Sequence, residues 1–520
     1  MIANHLRALN ATVDPAVRPR VLLLHGGRCE GWPADIAELC PHLDISVATV
    51  SALEYDDGSY QEGDNADRHG SIAEATDTLV TEMLAALTAH GFAADQTLLH
   101  IHNHALGKNL ALPPAVSRLN EQGVRLLLQI HDFAEDFRPP LYHRLSNNLA
   151  TDDPQQLPTV LYPQSESIHY AVLNGRDRNL LSAAGVGAER LHWLPNPVAE
   201  FGELPPRDEA RRALAERFAI DPERPLFLYP VRGIRRKNLG EMLLLSAAAD
   251  GEVAFASTLT PLNPIEREPY DHWRQLAKEL GLRCHFGLGD AEGLGFSENI
   301  SAADAIVTTS VAEGFGMVFL EAWLAGRPLI GRNLPDITDD FVQQGLGLDD
   351  LYDSLEIPLE WIEEERFRHA LVRSFAQVLG EYGREHELAD RFDPYFDELI
   401  DHGAVDFGSL DVLLQREVIS MVCESSEHRC QLRECNRGLQ IALLANVEGC
   451  REAIDRNAAV IRENYSLEVF GGRLRTLYES LLAAPSAGRV RGPSAGHKIL
   501  DTFLDLRRFQ PVRTSAGDLS

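Results

Sequence analysis

DAIVTTSVAEGFGMVFLEAWLAGRPLIGRNLPD, residues Asp304 to Asp336, carries a strand, a glycine turn and a helix in close succession. Ala305 to Val307 is a β-branched apolar run too short for a helix and is predicted to be a buried strand of a parallel sheet. Glu313-Gly314-Phe315-Gly316 supplies a turn, because glycine enters backbone conformations closed to other residues and lets N–H groups approach a ligand. Good helix formers follow from Met317 through Leu320, Glu321, Ala322, Trp323, Leu324 and Ala325, and Gly326 with Pro328 marks the stop. Strand, glycine turn and helix in this order place free N–H groups and a positive dipole end at the carboxyl edge of a sheet, where anions such as phosphate bind. Glu313 and Glu321 are eight residues apart, roughly 12 Å along a helix at about 1.5 Å per residue. Two carboxylates hydrolysing one glycosidic bond sit about 5 to 9.5 Å apart, so this pair is expected to grip different parts of one long ligand.

The arrangement Glu-Gly-Phe-Gly, a second Glu eight positions after the first, then Ala-Gly-x-Pro resembles the donor-binding signature of family 4 glycosyltransferases. The resemblance spans roughly residues 20 to 340 and 456 to 482, with its strongest motifs after residue 224. It implies an α/β chain of two facing doubly wound Rossmann-like domains, the GT-B architecture, with a nucleotide sugar in the cleft between them. It also implies that Glu313 lies beside the donor sugar and that Glu321 holds the ribose hydroxyls. The amides of Gly314, Phe315, Gly316, Met317 and Val318 would meet the diphosphate.

Length and composition set the bounds. At 520 residues the chain exceeds one ordinary core. A hydrophobic content of 44% with 24% charged residues is that of a globular protein. The net charge of −30 argues against nucleic acid and anionic membrane surfaces as partners. Seven scattered cysteines (29, 40, 284, 423, 430, 435, 450), without a signal sequence, point to a reducing, cytoplasmic setting. Cys423, Cys430 and Cys435 lie near His428, but without a C-x-x-C pair they are read as plain thiols. No apolar run reaches the ~18 residues of a membrane span.

Residues 1 to 19 show little pattern and are read as a lead-in. Arg20 to Leu24 is predicted to be a first strand running into His25-Gly26-Gly27, which is not a dinucleotide fingerprint because the glycines do not fall as G-x-G-x-x-G. By resemblance, Gly26 and Gly27 lie over the cleft and touch acceptor or diphosphate. Further strands are predicted at Ile45–Val50, Thr97–Ile101, Arg125–Ile130, Ile168–Leu173 and Arg190–Leu194, with helical spacing clearest over Ile72–Ala89. His100, His102 and His104 alternate and should share one face of a strand. They are read as lining a polar cleft, and no metal ligand set is assigned. His131, followed by Asp132 at a strand end, resembles the family's histidine that contacts the donor sugar. A strand at Leu226–Val231 leads into Arg232-Gly233-Ile234-Arg235-Arg236-Lys237-Asn238, a concentration of cations suited to a diphosphate. Arg232 and Lys237 reproduce the family's Arg-to-Lys spacing, although Val231 stands where a glycine usually precedes the Arg.

The predicted organisation is an acceptor-side domain over 1–198, a linker over 199–223, a donor-nucleotide domain over 224–358 and a helical insertion over 359–456. A crossover helix over 457–484 and a linker with a short docking helix over 485–520 complete it. The function expected is retaining transfer of a sugar from a UDP- or GDP-sugar to a hydroxyl. Arg232, Lys237 and the amides after Glu313 would stabilise the leaving diphosphate without a cofactor or metal. The acceptor expected is small and soluble, with an anionic group allowed by Arg28, Lys108 and Arg138. A nucleotide-sugar epimerase and a non-catalytic sugar-nucleotide binder are the alternatives, since fold does not settle chemistry.

Overall fold

The computed structural model describes all residues except 29–30, 57–64, 151–155, 437, 440–442, 444–445, 487 and 515–520; the side chains of 65–70 also lie outside the description. Cys29 is therefore not among the described residues. The chain divides into two compact units, Met1–Ala199 with Asn464–Phe503, and Glu200–Glu463 with Leu504–Ser520.

In the first unit β1 (Arg20–His25) pairs in parallel, among the described residues, only with β2 (Asp44–Thr49). A separate four-stranded parallel sheet takes β3 (Leu98–His102), β4 (Arg125–Ile130), β5 (Ile168–Val172) and β6 (Leu191–Trp193) in sequence order. Helices cover both faces of this sheet. Leu126, Leu128 and Ile130 of β4 pack into one core with Leu79, Met83, Val116 and Leu119, and Leu127 faces the opposite core with Ala171, Phe470 and Leu474. A strand buried on both sides has no solvent face to carry polar residues, which is why Leu126 to Leu128 is continuously apolar.

Residues 1 to 19 are not a passive lead-in. Ile2–Thr12 is a helix that buries His5, Leu6, Ala8 and Leu9, and it lies against the helix Leu467–Ala483. Their approach is set by Gly471, where a Cβ would stand 2.0 Å from the Ala8 carbonyl oxygen. The short docking segment near the C-terminus forms the helix His497–Phe503, whose Phe503 ring packs at a tilt against Phe133, with ring centres 5.6 Å apart.

In the second unit a five-stranded parallel sheet takes β7 (Leu226–Arg232), β8 (Ala254–Leu259), β9 (Cys284–His285), β10 (Ala305–Thr308) and β11 (Leu329–Gly331) in the order β11-β10-β7-β8-β9. The helix Arg207–Phe218 is held to this sheet by Arg211, which pairs with Asp304 just before β10. Beyond β11 come the helices Glu364–Glu381, Val412–Glu424, Ser426–Cys435 and Arg451–Tyr465. The segment is not purely helical, because β12 (Glu356–Pro358), β13 (Ile400–Asp401) and β14 (Ala404–Asp406) form a small antiparallel sheet. Strands of two or three residues are too short for periodicity to reveal. Among the described residues no helix is long and apolar enough to cross a membrane.

Candidate functional site

The order β11-β10-β7-β8-β9 contains one switch point. From β7 the chain moves outward through β8 and β9, then returns to β10 on the other side of β7, so the loops leaving β7 and β10 run in opposite directions. Ligands of open parallel sheets bind in the crevice that such a divergence leaves at the carboxyl ends of the strands. The two loops here are Arg232–Asn238 and Thr309–Met317, and the sequence places its cations on one and its glycine turn on the other.

These loops are laced together. The Val311 N–H donates to the Arg236 carbonyl at 3.0 Å, and the Thr309 hydroxyl donates to the Lys237 carbonyl at 2.9 Å. Lys237 forms an ion pair with Glu313, whose carboxylate also accepts from Ser310 Oγ at 2.6 Å. Tyr229 Oη lies 2.6 Å from the same serine oxygen. Burial pushes Glu313 upward, but Lys237, Arg236 and the hydrogen bonds from Lys237 and Ser310 outweigh it and hold the carboxyl below its ordinary range. Burial likewise lowers Lys237, against the pull of Glu313. A buried pair of this kind fixes geometry more than it adds stability.

The other cations part company. Arg232 donates to the Thr260 carbonyl at 2.7 Å, and Arg235 pairs with Glu266 at 3.3 Å. Arg236 has no ion pair or side-chain hydrogen bond among the described residues, which makes it the cation of this loop left available to a ligand. Membership of the charge cluster does not distinguish Arg236 in the sequence; only the partners of its neighbours single it out.

The glycine turn offers its backbone. Gly316 has φ +82°, and a Cβ there would come within 2.7 Å of the Phe319 ring. Phe315 is buried edge-on against Phe341 at 5.4 Å, and Val318 is buried too, so these two residues can serve a ligand only through their N–H groups. Among the described residues the N–H groups of Gly316, Met317 and Val318 have no protein acceptor. The helix begins only at Val318 and ends at Leu324, so the residues from Glu313 to Glu321 do not form one helix and the 12 Å helical rise does not apply. Glu321 is half-buried and has no side-chain partner among the described residues; burial alone pushes its carboxyl up to about 7.

In the first unit, His131 follows the last residue of β4. Its ring is bonded not to Asp132 but to His102, with Nε2 to Nδ1 at 2.9 Å, and Asp132 pairs with Arg138 at 2.5 Å. Burial lowers His131 to about 4 despite the nearby Asp132, so the ring is neutral at pH 7. Gly26 lets residues 53–54 pass, since its Cβ would stand 2.3 Å from the Glu54 nitrogen. Gly27, at φ +130°, donates its N–H to His25 Nδ1 at 3.1 Å. The turn therefore faces Glu54, which pairs with Arg28 at 2.6 Å.

His100, His102 and His104 do not all share a face. The strand ends at His102, Asn103 turns the backbone at φ +53°, and His104 is buried with Nε2 2.7 Å from the Leu161 carbonyl. The described cysteines, Cys423, Cys430 and Cys435 included, are free.

No family model matches the sequence. The chain is 24% identical over 475 residues to a mannosylglucosyl-3-phosphoglycerate synthase of Petrotoga mobilis, an alignment covering 89% of this chain and 86% of that protein. Among solved structures it is similar to a sucrose-phosphate synthase from Thermosynechococcus elongatus, at 14% identity over 90% of this chain and 99% of that one, with a TM-score of 0.48. It is also similar to an Anabaena protein, HepE, in complex with UDP-glucose, at 13% identity over 89% and 99%, with a TM-score of 0.46.

Proposed function

We propose that the chain is a retaining glycosyltransferase that uses a nucleoside diphosphate sugar. The observation that carries this reading is the gathering of Arg236, the Lys237–Glu313 pair and three unpartnered amides on the two loops that diverge at the sheet's switch point. The similarity to a mannosylglucosyl-3-phosphoglycerate synthase over most of both chains supports it.

A diphosphate placed on the amides of Gly316, Met317 and Val318 meets preorganised donors that need no rearrangement as charge develops. Arg236 and Lys237 sit on the facing loop, and their charge favours departure of the anion from an oxocarbenium-like carbon. Arg232 is the third cation in this assignment. Glu321, unpartnered and half-buried, takes the two ribose hydroxyls as donors. Glu313 is assigned to the transferred sugar, and on the resemblance His131 of the first unit is assigned to it as well.

The acceptor in this reading carries an anionic group, because the relative's product is named for 3-phosphoglycerate, which bears phosphate and carboxylate. Arg28 and Arg138 are already paired with Glu54 and Asp132. Lys108 has no carboxylate partner among the described residues; its Nζ lies 4.9 Å from the centre of the Tyr55 ring. Lys108→Ala should raise the KM for a phosphorylated acceptor and leave that for a neutral sugar unchanged; equal effects on both would remove the anionic acceptor from the reading.

The decisive experiment incubates the protein with radiolabelled UDP- and GDP-hexoses, with and without phosphorylated acceptors. Transfer gives a labelled glycoside of retained configuration. A new labelled sugar nucleotide would make the protein an epimerase, and binding without turnover would make it a binder.

A further inference from the structure

On one face of the first unit's sheet, beside His131, polar groups are buried without partners among the described residues. His5 is 4% exposed, and neither of its ring nitrogens has a hydrogen-bond partner. His100 Nε2 is also buried and unpartnered. Gln129, directly beside His102 in the β3–β4 register, is fully buried with both amide atoms unpartnered. Each such orphan carries the desolvation penalty of a polar group that has lost its water, so native structures rarely collect several in one place. The rings are also close. One ligand atom each from His5, His100 and His102 lies within 4.8 Å of the others, and the His100 and His102 ring centres are 4.4 Å apart.

We propose that His5, His100 and His102 form a binding site for a divalent transition metal of the zinc class. Three imidazoles suit Zn²⁺, and β3 supplies two of them on one face because its side chains alternate. The third arrives from the helix Ile2–Thr12, laid over that face by its packing on Leu467–Ala483. Burial keeps the three rings neutral, the form that offers a lone pair to a metal.

Two outer contacts orient the ligands. His100 Nδ1 lies 2.7 Å from the Tyr478 hydroxyl, and His102 Nδ1 lies 2.9 Å from His131 Nε2. Ligation through Nε2 leaves each Nδ1–H to donate to that neighbour, which fixes the tautomer. Tetrahedral Zn–N bonds of about 2.0 to 2.1 Å require nitrogens roughly 3.3 to 3.4 Å apart, so the rings draw inward by about an ångström on binding. The metal would pin the N-terminal helix to the sheet.

The test uses tag-free, full-length protein, stripped with a chelator and titrated with Zn²⁺ by calorimetry and with Co²⁺ by visible absorption. Wild type should bind one equivalent with a tetrahedral cobalt spectrum and melt at a higher temperature with Zn²⁺ than without. His5→Phe and His100→Phe, each filling the space of the ring it replaces, should lose both the equivalent and the thermal shift. Tyr478→Phe keeps all three ligands and should weaken binding by about 10- to 100-fold, as loss of an orienting partner does. Absence of stoichiometric binding by wild type, or binding unchanged in both histidine variants, overturns the proposal.

Discussion

Glu321→Gln separates a ligand-binding carboxylate from a merely buried one. Burial without a partner raises the Glu321 pKa to about 7 in the free protein. Two ribose hydroxyls donating to both oxygens bind the ionised form far more strongly than the neutral one, so ligand binding must pull the pKa back down and affinity must follow the fraction ionised. With a free-state pKa near 7, the apparent Kd is multiplied by about 1.1 at pH 8, about 2 at pH 7 and about 11 at pH 6. Affinity for a sugar nucleotide should therefore fall about tenfold between pH 8 and pH 6, a loss of about 1.4 kcal/mol. Calorimetry with a UDP- or GDP-hexose is the assay, because its diphosphate diester does not titrate in this range, whereas a free nucleoside diphosphate does.

In Glu321→Gln the slope should vanish and binding at pH 8 should weaken by about 1.5 to 3 kcal/mol, the worth of hydrogen bonds to a charged group. Stability should move the opposite way. The folded pKa lies above the ordinary carboxylate value of 4.5, so the fold favours the protonated form and loses stability as pH rises from about 4.5 through 7. The Gln variant, which cannot ionise, should match wild type at pH 4.5 and melt above it at pH 8. A wild-type affinity flat between pH 6 and 8, or a slope that survives in Glu321→Gln, would refute the assignment of Glu321 to the ribose.

Lys237→Ala leaves the buried Glu313 without its cation; a loss of about 3 to 5 kcal/mol in the stability of the second unit is expected by chemical denaturation. Its turnover should drop even at saturating donor, and wild-type turnover there would end the leaving-group role. Arg332 bonds bidentately to Asp406 at 2.8 Å and to the fully buried Glu241, tying the region after β11 to the small antiparallel sheet. Arg332→Ala should cost a similar amount and lower the melting temperature without changing the pH dependence of donor binding. Gly471→Ala pushes a methyl into the Ala8 carbonyl, so limited proteolysis should release the N-terminal helix much faster than in wild type, and equal rates would show that the helices do not depend on this approach.

Sequence pattern alone marked all six strands of the first unit and, in the second, β7 and β10, but not β11. Arg125–Ile130 was legible to the residue, and the apolar run at Ala305–Val307 marked β10, because a strand covered on both faces writes its burial into consecutive residues. The glycine turn and its helix were equally legible, since φ +82° at Gly316 and the stop at Gly326 are local demands on the backbone. Tertiary structure decided what no local pattern can hold. Whether β10 lies beside β7, and hence whether the cation loop meets the glycine turn, depends on strand order. Only that meeting pairs Lys237 with Glu313 and leaves Arg236 free of an ion pair. The helix Ile2–Thr12 carries Ile2, Leu6 and Leu9 at helical spacing, but what covers that face is Leu467–Ala483, far along the chain. For the same reason His5 joined His100 and His102 while His104 left them: one residue at φ +53° redirects a strand, and a contact between distant residues is made by packing, which sequence spacing does not record.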